Sequence, residues 1–507
     1  MSAPDFTDLI DLAAERLGAA AIACNDEFFA PMENLVRQEP AVWKDHLYTD
    51  RGKWMDGWES RRRRPADGLG PDDHDWCIVR LGAPGIVRGA VIDTAFFRGN
   101  YPASAALDGC LAPSHATPAE LAAAEWIELI PRGALAGDTA NARAAARSEH
   151  VSHVRLRIYP DGGVARLRVF GEVVPDLARL GGLGGELDLA AVENGGLALA
   201  CSDMFFGVRH NLLLPGRATS MSDGWETRRR RGPGHDWVVI RLVGEGEVRR
   251  VEIDTNHFKG NAPASCTLEG THAPASATVD ELTAWRPLLA ETALTPHARH
   301  FLAALPAGAI SHVRLNVFPD GGVSRLRVHG ALTDAGRRAV GLRRLESLPA
   351  GALRRELAQC LGAAHWVDAV AAARPWGSSA ALADAADAAC ADLAETDWLE
   401  AFRAHPRIGE RHAARSQTAT EARWSASEQA GTTTAGDATR AALAAGNAAY
   451  EARFGFLYLV CAAGKSADEL RARLEARLHN DRATELAVAA DEQRQIMRLR
   501  LDRLLLG

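Results

Sequence analysis

The sequence predicts a multidomain chain in which two β-sandwich jelly-roll repeats precede an all-α domain. Three observations carry this reading: a long internal duplication, an alternating apolar pattern inside each copy, and a change to helical spacing after about residue 335. At 507 residues the chain exceeds what one hydrophobic core holds, so several domains are expected.

The duplication is read first. "DLAAERLGAAAIACNDEFF" from Asp11 returns as "DLAAVENGGLALACSDMFF" from Asp188, and "DGWESRRRR" from Asp56 returns as "DGWETRRRR" from Asp223. "HDW" at His74 recurs at His235, "DTAFFRGNYPAS" at Asp93 becomes "DTNHFKGNAPAS" at Asp254, and "SHVRLRIYPDGGVARLRVFG" at Ser152 becomes "SHVRLNVFPDGGVSRLRVHG" at Ser311. Domains are therefore expected at 1–174, 175–335 and 342–507. Within a copy, Val154, Leu156 and Ile158 alternate with Arg155, Arg157 and Tyr159, and the alternation resumes at Ala165, Leu167 and Val169 after "PDGG". This pattern predicts an amphipathic hairpin. "DWCIVRLG" and "DWVVIRLVG" add strands, and a short helix is expected around Pro118–Glu125. Such strand-rich copies fit an antiparallel sandwich.

A Gly- and Arg-rich join is expected near Ala335–Arg344. Beyond it, Leu470, Leu474 and Leu478 recur every four residues, and "ELAVAADEQRQIMRLRLDRLLL" reads as one long amphipathic helix.

Composition narrows the function. A net charge of -7 argues against a nucleic-acid binder, which would carry a basic face. The eight cysteines are scattered without a Cys-x-x-Cys pair, and no stretch reads as a signal peptide or membrane span. A cytoplasmic enzyme of small molecules, acting without nucleic acid or membrane as a homo-oligomer, is expected.

Several residues are candidates for chemistry. Arg61, Arg63, Arg228 and Arg230 either lie on a solvated face or form forks for a small carboxylate or urea-like ligand. Asp56, Glu59, Asp223 and Glu226 would hold those forks or move a proton. His74 and His235 are read as bases, metal ligands or structural groups, which leaves a divalent metal open. His153 and His312 read as rim residues at strand starts. In the helical part, Trp398, Phe402 and His405 share one face, and Pro406 ends that helix. Ser425 and Glu428 have capping-box spacing. Arg500 shares a stripe with Ile496 and Leu504, so it either snorkels or meets an anion.

Residues 1 to about 335 resemble allantoicase through "NDEFF", "DGWESRRRR", "HDW", "DTAFFRGN" and "RIYPDGG". The resemblance implies paired galactose-binding-like jelly rolls that hydrolyse allantoate to (S)-ureidoglycolate and urea. Residues 342–507 resemble the decarboxylases of 2-oxo-4-hydroxy-4-carboxy-5-ureidoimidazoline (OHCU) through "FRAHPRIGE", "WSASEQAG", "RFGFLYLVCAAGKS" and "IMRLRLDRL". That resemblance implies an all-helical, cofactor-free enzyme producing (S)-allantoin. It implies His405 and Glu428 as the catalytic pair. It further implies substrate contacts from Pro406, Ser425, Gln429, Phe454, Gly455, Phe456 and Arg500. The alternative is that the jelly-roll pair is a non-catalytic module for a small polar anion.

Overall fold

The computed structural model describes residues 6–63, 70, 72–182, 185–405, 424 and 437–507. These fall into two compact units, Met1–Val340 and Gly341–Gly507.

In the first unit each repeat is organised by one 19-residue strand, Asp75–Asp93 and then Asp236–Asp254. The first half of Asp75–Asp93 pairs with His150–Tyr159 and Ala20–Cys24. Its second half pairs with Arg166–Val173 and Ala140–Ala144. One strand thus belongs to both layers of a sandwich. Ser104–Cys110 and Ile127–Ala134 extend one layer, and Ile10–Asp11 borders the other. All pairings are antiparallel, and the second repeat reproduces the strand order.

Two expectations change. The two strands flanking "PDGG" do not form a hairpin with each other: Ile158 lies opposite Asp75 and Arg166 opposite Asp93. The segment crosses between layers, and on the way Gly163–Val164 pairs with Trp58–Glu59. The crossing needs glycine, because a Cβ on Gly163 would lie 1.9 Å from the Phe97 ring, and one on Gly322 would lie 2.0 Å from Phe258. His153 and His312 are not rim residues either; both are fully buried between strands. The reason is that both neighbouring strands cover that face, a tertiary fact that alternation along one strand does not encode.

Trp58 and Trp225 are the largest fully buried side chains of the repeated arginine peptides. Each donates its indole N–H over 2.8 Å, Trp58 to the Asp26 carbonyl and Trp225 to the Asp203 carbonyl. Burial of a side chain this size makes truncation to alanine cost about 3–5 kcal/mol. The short helix Pro118–Ala122 forms as expected, closed by a capping box from Thr117 and Glu120.

The expected join is helical: Asp334–Ser347 forms one helix. Its Arg, Ala and Leu content favours helix over the influence of its glycines. In the second unit Gly341 is required by packing, since a Cβ there would meet the Leu505 carbonyl oxygen at 2.1 Å. Helices Ala350–Cys360, Ala364–Ala372, Ser379–Ala391, Glu395–Arg403, Asp437–Phe454, Ala467–Arg477 and Arg482–Leu506 complete the described part of this unit. Leu470 and Leu474 face its core. Inside it, the fully buried Glu485 accepts from Tyr450, from Arg477 Nε at 2.7 Å and from Asn480 at 2.7 Å.

Candidate functional site

At one end of each sandwich the repeated peptides converge. The main-chain N–H of Arg61 and its Nε both donate to Asp26, at 3.0 and 2.6 Å. Arg63 donates from Nε and Nη2 to one oxygen of Asp75, at 3.0 and 2.7 Å, and from its main chain to Asp161 at 2.8 Å. Asn25 also donates to that Asp75 oxygen, at 2.7 Å. The result is a cavity of about 370 Å³ lined by Asn25, Asp26, Arg61, Arg62, Arg63 and Asp75.

The second repeat keeps this frame. Arg228 is held by Asp203 (2.7 and 3.0 Å), and Arg230 donates to Asp236 from its side chain and to Asp320 from its main chain at 2.7 Å. The row is mixed: the Arg61 and Arg228 side chains are solvated at 65% exposure while held from one side, whereas Arg63 and Arg230 are half-buried. Alternate residues are clamped by carboxylates, which orients their guanidinium planes.

Glu59 is buried and accepts from Asn100 at 2.7 Å. Burial raises its carboxyl above the ordinary range, against the Asn100 hydrogen bond and the Arg62 charge. Glu226 accepts from Asn261 in the same way.

Asp56 and Asp223 stand apart from the forks and hold buried arginines. Asp56 accepts from Arg166 at 2.9 Å and from the Val42 N–H at 2.9 Å. Asp223 accepts from Arg325 at 3.2 Å, from the Thr219 N–H at 3.0 Å and, across the repeats, from Arg16.

His74 turns its Nδ1 to the Asp72 carbonyl (2.9 Å) and its ring to Tyr159, while His235 faces Asn316 at 3.3 Å and Phe318. The aspartate of each "HDW" peptide holds the side chain of Arg63 or Arg230, and His74 adds only its main-chain carbonyl, which accepts from Arg63 Nη2 at 2.9 Å, so neither imidazole grips the fork. The histidines and acids thus do not converge on one point. Among the described residues no group of three or more His, Cys, Asp or Glu side chains is arranged to hold a metal ion, so no metal step is derived.

The sequence reading also missed Asp26, Asp75, Asn100, Asp161 and their second-repeat counterparts. Each lies inside a duplicated peptide, so the duplication carried the signal. His297 accepts from the His257 N–H at 2.8 Å, as Asp138 does from Phe96 in the first repeat. Phe96 and His257 have φ of 68° and 70°, a left-handed backbone that these acceptors hold in place.

In the helical unit His405 follows the Glu395–Arg403 helix, its N–H bonded to the Phe402 carbonyl at 3.1 Å. Burial and the neighbouring Arg500 charge push its imidazole down to about 3, against contact with Gln493. Arg500 is buried on the last helix and donates to the Gln359 carbonyl at 3.1 Å. Arg498 instead faces outward onto Asp387 at 2.8 Å.

Phe402 stacks on Phe456, with ring centroids 5.6 Å apart, which joins the end of the His405 helix to "RFGF". There Gly455 takes φ of 81°, Phe454 and Phe456 are buried, and a cavity of about 240 Å³ opens beside Phe402, Gly455 and Phe456. Pro406, Ser425, Glu428 and Gln429 lie outside the described residues.

A family profile described as allantoicase repeat matches residues 10–174 and 187–333, and one described as OHCU decarboxylase matches residues 346–502. A probable allantoicase of Photobacterium profundum is 46% identical over 332 residues, covering 64% of this chain and 97% of that relative. The allantoicase of Dictyostelium discoideum is 41% identical over 336 residues, covering 65% of this chain and 89% of its own. The crystal structure of allantoicase from Saccharomyces cerevisiae superposes with a TM-score of 0.53 at 34% identity, covering 63% of this chain and 92% of that one. The chain belongs to the allantoicase family and carries an OHCU decarboxylase domain after its two allantoicase repeats.

Proposed function

We propose that the sandwich unit hydrolyses allantoate to (S)-ureidoglycolate and urea, and that the helical unit decarboxylates OHCU to (S)-allantoin. The observation that carries the first half is the pair of carboxylate-clamped arginine forks. Allantoate is a small anion with two ureido groups on one sp³ carbon. Its carboxylate fits the Arg61 to Arg63 fork, because Asp26 and Asp75 fix the guanidinium planes before substrate arrives. Loss of urea requires a proton on the leaving nitrogen and water at the carbon. Glu59, raised by burial, is the group on hand to give that proton and recover it from water.

In the helical unit, support comes from a neutral imidazole beside a guanidinium. Arg500 would orient the substrate carboxylate, and His405, uncharged at neutral pH, would take the hydroxyl proton. The carboxylate lies β to a ring carbon–nitrogen double bond, which accepts the electron pair as carbon dioxide leaves. Reprotonation on one face by the pair His405 and Glu428 then gives a single enantiomer. Ser425, Gln429, Pro406 and the "RFGF" main chain would hold the remaining polar groups.

A cytoplasmic setting is part of the proposal. It is supported by cysteines scattered without a Cys-x-x-Cys pair and by the absence, among the described residues, of a helix long and apolar enough to cross a membrane. The test is urea release from allantoate and loss of OHCU absorbance by the same purified chain. Absence of urea from folded protein overturns the first half, and unaccelerated OHCU decay overturns the second.

A further inference from the structure

The second repeat holds a cavity that the forks do not use. It has a volume of about 330 Å³ and is lined by Arg217, Arg299, Arg325, Arg327 and His329 together with four acids, Asp188, Glu193, Glu252 and Asp254. Three of its guanidiniums are already oriented. Arg299 donates to Glu252 at 2.6 Å, Arg327 to the Leu214 and Gly216 carbonyls at 2.6 and 2.8 Å, and Arg325 to Asp223. Arg217 is exposed at the mouth and has no hydrogen-bond or ion-pair partner among the described residues.

Inside, the chemistry is unfinished. Arg325 is 2% exposed, yet its Nε donates to nothing. The buried Oδ2 of Asp188 accepts no hydrogen bond, and its nearest cation, Arg327 Nη1, is 3.6 Å away. Buried donors and acceptors left without partners are costly, and a ligand that completes them relieves that cost.

The first repeat is an internal control. The shared strand register makes Val91 the counterpart of Glu252, because they face Arg168 and Arg327 respectively. Ala140, opposite Asp93, corresponds to Arg299, opposite Asp254. Phe170, opposite Asp11, corresponds to His329, opposite Asp188. Three charged or polar lining groups of the second repeat are therefore Val, Ala and Phe in the first. The fold does not require the polar set, since the first repeat folds in the same register without it.

We infer that this cavity of the second repeat is a binding site for a small carboxylate that also carries N–H donors, a ureido- or amido-acid, and that the first repeat lacks it. The ligand carboxylate meets Arg217 and Arg327, and its N–H groups meet Asp188 and Glu252. The wall acids oppose a fully anionic ligand such as phosphate. The volume suits a molecule of small-metabolite size.

The test uses N-carbamoylglycine as probe and isothermal titration of the full chain. The triple variant Glu252→Val, Arg299→Ala, His329→Phe gives the second repeat the first repeat's residues. It is expected to lose one binding site per chain while keeping its circular dichroism spectrum. Arg217→Ala alters an exposed, unpartnered side chain and serves where the triple variant fails to fold. It is expected to weaken that site by roughly tenfold, the scale of one charge-assisted contact. No binding by the wild type, or an unchanged stoichiometry and affinity in the variants, overturns the inference. Binding confined to the forks gives that second result.

Discussion

Acid should destabilise the sandwich unit through two equivalent histidines. In each repeat a serine hydroxyl gives its proton to a carbonyl, Ser152 to Ala112 at 2.7 Å and Ser311 to Ala273 at 2.8 Å. The adjacent ring, His153 at 2.9 Å or His312 at 3.0 Å, must then donate from Nδ1 to that hydroxyl. The other nitrogen, Nε2, is left buried without a partner. Protonating it would place a charge in the core with no acceptor, and burial accordingly lowers both rings from 6.5 to about 4. Folded pKa values below the unfolded ones mean that the unfolded chain binds more protons between these limits. Stability is therefore retained at pH 7 and lost as pH falls through about 6.5 toward 4. At pH 5 the cost is about 2 kcal/mol per ring, or about 4 kcal/mol for the pair. The assay is urea unfolding of wild type, His153→Phe and His312→Phe at pH 7 and pH 5. The variants share every other titrating group, so each should lose about 2 kcal/mol less than wild type between the two pH values. Parallel pH profiles for wild type and variants would refute the reasoning.

Other outcomes follow from the same geometry. Arg63→Lys removes the two-nitrogen grip on Asp75 and should lower urea release by about tenfold or more, with Arg230→Lys reporting whether the second fork contributes. His405→Asn should lower OHCU decarboxylation by about a hundredfold, while urea release from allantoate stays at the wild-type rate. Glu485→Ala strands the buried Arg477 and should destabilise the helical unit by about 3–5 kcal/mol, read as a fall in its melting temperature. Gly163→Ala drives a methyl into Phe97 and should cost about 1–3 kcal/mol in unfolding free energy, with Phe97→Leu in the same chain restoring part of it.

What could be read from sequence followed physical range. Alternation and helical spacing are local, so the strand "DWCIVRLG", the Thr117-capped helix and the last amphipathic helix were legible. The peptide "PDGG" looked like a hairpin turn because local pattern cannot show that both flanking strands pair with a third. Burial of His153 and His312 depends on strands 40 or more residues away, as the contact of Ser152 with Ala112 illustrates. The arginine forks were half legible. Planar donors in a repeated peptide pointed to an anion, but their clamps, Asp26, Asp75 and Asp161, come from three other peptides. Residues of one motif also parted company: Asp56 serves a buried arginine, whereas Arg61 and Arg63 line the cavity. In the helical unit the Arg500 charge acts on the buried His405, a proximity between distant stretches of chain that helical spacing does not encode.

The reach of Arg16 into Asp223 has a genetic consequence. In the first repeat the corresponding carboxylate, Asp56, has Arg37 at 3.9 Å in place of such a visitor, and the second repeat carries Glu193 where the first carries Arg16. The two halves have thus stopped being interchangeable copies. Two copies of the second half would set Glu193 against Asp223, an acid against an acid, in place of the Arg16 pairing.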